Sequence, residues 1–169
     1  MPGMCSRCGA AGAVGAGAPA ELLVPVIAPT DPNAAVAAAA LALYRRHRDP
    51  DGRRALHTVM YSHSHSDHFG GVRGLTTQAD VDAGRVRIIA PAGFMHEAVA
   101  ENVIAGVAMG RRSHFQFGQT LPRGPEGQVD AGLGKAIPSG ALGLIAPTTT
   151  IEQPIETHVI DGVEIVFQL

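Results

Sequence analysis

Three histidines and an aspartate fall within six positions of "MYSHSHSDHFGGVRG", at His63, His65, Asp67 and His68. The run leading into them, "ALHTVMY" over residues 55–61, has the short, apolar make-up of a buried strand. Gly70 and Gly71 follow, and they permit a tight turn with close backbone approach. A fold that accommodates this stretch must end a strand at the cluster and bring the chain back around it. In an extended segment His63 and His65 point to the same side, while a turn at residues 66–68 swings Asp67 and His68 toward a second centre. Imidazole and carboxylate donors suit zinc, and also iron or manganese in an open site. Two close ions would let one activate water and the other hold an anionic leaving group, the chemistry of a binuclear hydrolase. A histidine-rich hexapeptide by itself is also compatible with a solvated loop or an adventitious metal trap. The strand before it and the paired glycines after it are a context that a random tract seldom supplies.

The rest of the chain reads as a mixed pattern. "NAAVAAAALALY" has high helix propensity, with Asp31 as a candidate N-cap, Pro32 in the first turn, and Arg45, Arg46 and Arg48 placed to complement the C-terminal dipole. "DPDG" at residues 49–52 breaks this helix. "TTQADVDAG" suggests a short surface helix or turn, and "RVRIIAP" over residues 85–91 a second strand ended by proline. From residue 94 to 109 the pattern is helical, with Met95, Val99, Val103 and Val107 as an expected core stripe and Glu97 and Glu101 outside it. Residues 110–150 show no sustained periodicity, as in a long functional or disordered loop. "IETHVIDGVEIVFQL" is a hairpin whose Asp161-Gly162 pair favours a type I′ turn. Helices covering a sheet, in an α/β or α+β arrangement, are the expected architecture.

Composition mainly excludes. At 169 residues, one domain is the expectation. A net charge of −2, from 13 basic and 15 acidic residues, offers no broad field for nucleic acid or anionic lipid, so neither is expected as a partner. Cys5 and Cys8 form a lone C-x-x-C in a glycine- and alanine-rich leader, without the two further ligands of a structural zinc site or the strand-to-helix setting of a redox motif. That leader, residues 1–21, is expected to be a disordered tail, and its centre lacks the leucine-rich core of a secretory signal. No run is long enough for a membrane span. A cytoplasmic protein is the resulting expectation.

At His63, His65, Asp67 and His68 the chain resembles the metallo-β-lactamase superfamily, whose signature is His-x-His-x-Asp-His after a β-strand. The flanks, "IIAPAGFMHEAVAENVIAGVAMGRR", "LPRGPEGQVDAGLGK", "GLIAPT" and "IDGVEIVFQL", are similar to its alkyl sulfatase branch, from about residue 41 to 169. The resemblance implies an α/β domain over residues 22–169, a partial metallo-β-lactamase αββα fold truncated within the β-sandwich. It implies zinc, with His63 and His65 serving one ion, Asp67 and His68 the other, and Asp67 also catalytic. The family completes this pair of ions with two glutamates and a further histidine, from sequence beyond the equivalent of "FQL". The implied activity is hydrolysis of small-molecule alkyl sulfate esters by an incomplete catalytic domain, with a homodimer also compatible. Arg111, Arg112 and Arg123 are candidates for holding the sulfate, since a guanidinium fork matches an oxyanion. A solvated charge is the plainer reading for at least one of the adjacent arginines. Lys135 is a weaker candidate. Departures from the family pattern are Ser66, "MHEA" at residues 95–98 and "HFQF" at residues 114–117. Two rival readings remain: a non-catalytic fragment that binds metal or a partner chain through its final strand, and a superfamily hydrolase of esters or lactones.

Overall fold

A computed structural model describes residues 22–23, 34–131 and 140–169. The leader with Cys5 and Cys8, the candidate cap at Asp31 and Pro32, and Lys135 lie outside the described residues.

Four short strands form a parallel sheet in the order β1 (Leu22–Leu23), β2 (Leu56–Met60), β3 (Arg87–Pro91), β4 (Thr149–Ile151). Register is set by Leu22 opposite Leu56, Val59 opposite Ile88 and Ala90 opposite Thr150. A parallel sheet covered on both faces needs strands that are apolar at successive positions, and β3 meets this with Ile88, Ile89 and Ala90 all buried. Because side chains alternate, these residues feed two cores. Val59, Ile88 and Ala90 join Tyr61, Phe69, Val72, Val81, Phe94, Ala98 and Ile145 on the helical side. Ile89 joins Ile151 and Ile160 on the other, with Met60, Ile165 and Phe167 packed against them.

That second face is covered by an antiparallel hairpin, β5 (Ile155–Ile160) and β6 (Val163–Gln168). Asp161 and Gly162 adopt φ of +52° and +74°, as the type I′ turn requires. The result is a helix layer, a parallel sheet and a hairpin layer, the α/β arrangement expected.

Helix α1 (Ala34–Arg48) buries Ala37 and Leu41. Its start lies so close to Gly74 that a Cβ there would collide with the Ala34 carbonyl. The break after α1 is built on Asp49, whose carboxylate accepts the Arg53 and Arg54 backbone N–H groups at 2.9 and 3.0 Å. Helix α2 (Gln78–Asp82) is capped by the Thr77 hydroxyl, which accepts from the Asp80 N–H. Among the described residues no helix is long and apolar enough to cross a membrane.

The segment after β3 differs from expectation. It is not one helix but α3 (Phe94–Val99), a π-turn over Ala100–Ile104, and α4 (Gly106–Phe117). The expected core stripe faces outward: Met95, Val99, Val103 and Val107 are 38%, 41%, 73% and 76% exposed. Phe94 and Ala98, one position earlier, are the residues that bury. One residue is 100° of rotation on a helix, and the aromatic stack of Phe94 on Tyr61, 5.0 Å between centroids, decides which face turns inward. Helix α4 also runs eight residues past the expected end at Met109. It buries none of its side chains, so no apolar period marks it in the sequence.

Candidate metal centre

Strand β2 delivers the chain to the histidine loop, and the next residue anchors it. Tyr61 is buried, its N–H donates to the Ile89 carbonyl at 2.9 Å, and its hydroxyl donates to the Ile145 carbonyl at 3.1 Å. Burial pushes the phenol pKa well above its ordinary value, so it remains a donor. Phe69, at the far end of the loop, meets Tyr61 edge-on at 6.1 Å. The loop is thus pinned at both ends by aromatic rings of one core. Between them, residues 66–68 form a single 3₁₀ turn, with His65 extended just before it at φ −67° and ψ 137°.

His63, His65 and His68 come together. His63 Nε2 and His65 Nδ1 are 3.1 Å apart, with their rings edge to face. The His68 ring lies 3.9 Å from that of His63, centroid to centroid. The Ser62 hydroxyl bridges His63 Nδ1 and His68 Nδ1 at 3.1 and 3.3 Å. Asp67 Oδ2 is 3.4 Å from His68 Nε2. All four side chains are half-buried. Burial first, and then the neighbouring imidazoles, hold the His63 pKa below its ordinary value. A neutral ring with an available lone pair is the form that ligates a metal.

Two residues outside the motif reach it. The Ser64 hydroxyl donates to Glu101 Oε2 at 2.9 Å, and Glu101 Oε1 lies 3.8 Å from His65 Nε2. Asn102 Nδ2 donates to the Ser64 carbonyl at 2.9 Å. The helical pattern of residues 94–109 puts Glu101 on the outer face and gives Asn102 no role; an asparagine in a helix interior, where it is a poor helix former, is the available signal.

Arg111 and Arg112 are exposed on α4 and make no hydrogen bond to the loop. Arg123 is exposed in a shallow depression of about 430 Å³ lined by its own segment, residues 122–127. His158, on the hairpin, pairs with Glu156 at 2.9 Å.

The donor set fits a transition metal in kind: three imidazoles and the Asp67 carboxylate on one loop, with burial and the neighbouring imidazoles favouring the neutral form of His63. The arrangement is closed. Among the described residues no three His, Cys, Asp or Glu side chains are set around one point as an ion would require. Both observations hold together, because the ring nitrogens of His63 and His65 share a hydrogen bond and the His63 and His68 rings lie tilted against each other, so the lone pairs are not aimed at one common point.

The metallo-beta-lactamase superfamily model matches residues 31–161. The chain belongs to that superfamily, whose members generally bind metal ions, commonly zinc. Relatives that it matches within the superfamily are named as alkylsulfatases or an alkyl/aryl-sulfatase. It is 55% identical over 129 residues to an alkyl/aryl-sulfatase of Saccharomyces cerevisiae, covering 76% of this chain and 20% of the relative. It is 50% identical over 145 residues to an (R)-specific secondary-alkylsulfatase of a Pseudomonas species, covering 85% and 21%. The solved structure of a stereoselective inverting sec-alkylsulfatase from Pseudomonas superposes with a TM-score of 0.73 at 50% identity, covering 83% of this chain and 22% of that one. The chain spans about a fifth of the length of the curated relatives it matches.

Proposed function

We propose that this chain carries the histidine-loop portion of a zinc-dependent alkyl sulfate ester hydrolase. The observation that carries the reading is the convergence of His63, His65 and His68 on a loop anchored by Tyr61 and Phe69, in a chain 50–55% identical to alkylsulfatases. On this reading His63 and His65 hold one zinc ion, and Asp67 and His68 hold a second. A bound zinc supplies Lewis acidity toward water and toward the sulfate oxygens.

The chain's own residues prepare that chemistry. Neutral His63 offers a lone pair without first releasing a proton. The Tyr61 and Phe69 anchors hold the ends of the loop so that binding orders few new torsions. Asp67 contributes the carboxylate that offsets cationic charge beside His68. Arg123 and one of the adjacent pair Arg111 and Arg112 are the proposed sulfate-holding groups, with a guanidinium fork matching the anion and the other of the pair a solvated charge. The net reaction converts an alkyl sulfate and water into an alcohol and hydrogen sulfate. The Pseudomonas relative is named an inverting enzyme. Inversion fits water attacking carbon on the face opposite the sulfate, so the carbon–oxygen bond is the one that breaks.

Incubating the purified chain with zinc and dodecyl sulfate tests the proposal, with sulfate release as readout and His63→Ala as control. Release that disappears in the variant supports it. No release at micromolar protein overturns the turnover claim, and zinc binding without release would support the rival of a metal-binding, non-catalytic chain.

A further inference from the structure

From the geometry of the π-turn we infer that Glu101 and Asn102 are positioning residues for the His63–His65 pair, acting through Ser64. The inference rests on the metal-holding reading of the loop.

The inward face of α3 carries Phe94 and Ala98, both buried against the aromatic anchors of the loop. The next position on that face is Asn102, four residues on. The helix opens there: the Ala105 N–H donates to the Ala100 carbonyl at 2.9 Å, five residues back. Such a turn departs from the preferred four-residue spacing, and π-turns occur frequently at functional sites. What this one achieves can be read from Asn102. Its amide group has two N–H donors, and both are used. One goes to the Ala98 carbonyl at 2.8 Å and the other to the Ser64 carbonyl at 2.9 Å. Glu101, its neighbour, accepts the Ser64 hydroxyl at 2.9 Å.

Ser64 is therefore held twice from one helix, at its backbone and at its side chain. It is also the residue between the two histidines. Fixing its carbonyl holds the peptide plane that leads into His65, and holding its side chain restrains the link between the two histidines, whose Nε2 and Nδ1 atoms meet at 3.1 Å. Glu101 Oε1 also stands 3.8 Å from His65 Nε2, which is too far for a hydrogen bond and places a carboxylate charge beside that ring. The outer side of the same turn is solvent-facing, with Val103 and Ile104 73% and 81% exposed, so packing alone does not explain the irregular turn.

The test uses the full chain, with Glu101→Ala, Glu101→Gln and Asn102→Ala, and Glu97→Ala as a control on the exposed side of α3. Two readouts are taken: zinc affinity by competition with a chromophoric chelator, and amide hydrogen exchange of the metal-free protein. Asn102→Ala and Glu101→Ala are expected to weaken zinc binding about 10–100-fold. They should speed exchange in residues 62–68 roughly ten-fold while leaving β3 unchanged. Glu101→Gln, which still offers Ser64 an acceptor, should fall between wild type and Glu101→Ala, and Glu97→Ala should match wild type. Wild-type exchange at residues 62–68 in both alanine variants overturns the inference. So does acceleration that extends equally to β3, which would show general loosening. If Asn102→Ala fails to fold, the two Glu101 variants, at a half-exposed position, decide by the same criteria. If the wild-type chain takes no zinc, the proposed function fails, and the exchange measurement still judges the positioning role.

Discussion

On the hairpin, Glu156 Oε1 accepts the backbone N–H groups of Glu152 and Gln153 at 2.6 and 2.8 Å, while Oε2 meets His158 Nε2 at 2.9 Å. On the loop after β2, the short contacts run from imidazole to imidazole, and the carboxylates stand farther off, at 3.4 Å for Asp67 and 3.8 Å for Glu101. Both regions set histidine beside acid, and the difference lies in what the acid already does. Glu156 is committed to backbone donors and to one imidazole, so capturing an ion there would break bonds that hold the turn before β5. The loop histidines exchange their short contacts with each other and with the Ser62 hydroxyl, and among the described residues none of their rings is tied to a backbone donor. The loop that carries them is held instead at its ends by Tyr61 and Phe69 and at Ser64 by Glu101 and Asn102. A cluster able to bind is thus marked less by its residue types than by how its lone pairs are occupied.

Zinc affinity should separate the two regions most. Apparent zinc affinities of about 10–16 kcal/mol shared by four ligands put one donor near 3 kcal/mol, or about 100-fold. His65→Ala should therefore weaken zinc binding about 100-fold, and His158→Ala should change it by less than about 3-fold. Competition with a chromophoric chelator measures both. Equal losses in the two variants would break the distinction between a ligand loop and a structural pair.

The anchoring of the loop gives the next effect. Tyr61→Phe keeps the ring in the Phe69 and Phe94 stack and removes only the hydroxyl, leaving the Ile145 carbonyl without that donor. A buried hydrogen bond lost in this way costs about 1–3 kcal/mol, read as a drop in denaturation midpoint. The larger change Phe94→Ala should cost about 3–5 kcal/mol, whereas Phe115→Ala, at a 93% exposed position on α4, should stay within about 0.5 kcal/mol. Similar losses at the two phenylalanines would contradict the assignment of the inward face.

What the sequence discloses of this fold follows from how local each signal is. Strand β2, strand β3 and the Asp161-Gly162 hairpin are legible because an apolar run or a turn pair fits inside a few residues. Strand β4, "TTI", is too short to stand out, and α4 has no buried side chain to generate a period. The face of α3 misleads for a definite reason. Ala98 is too small to register beside Met95 and Val99, yet it is the residue that fits under the aromatic stack. The histidine motif is contained in six positions and is plain at once. Its supports at Glu101 and Asn102 lie 37 and 38 residues from Ser64, and only the β3 crossover brings them near.

The smallest effect is expected at Glu156 and appears only in acid. Its carboxyl pKa is lowered from 4.5 to about 2, first by His158 and then by the Gln153 and Glu152 N–H groups. A depressed carboxyl pKa means the unfolded chain takes up the proton first, so stability rises with pH across that window. The contribution of Glu156 is therefore complete above about pH 4.5 and drains away as the pH falls toward about 2. Glu156→Gln removes the titrating group, so its stability should fall less steeply than wild type between those limits, with only a small offset at neutral pH. Curves of denaturation midpoint against pH that run parallel for the two proteins would show that Glu156 is not committed in the way its three contacts imply. The hairpin acid would then be as free to exchange partners as the loop histidines are.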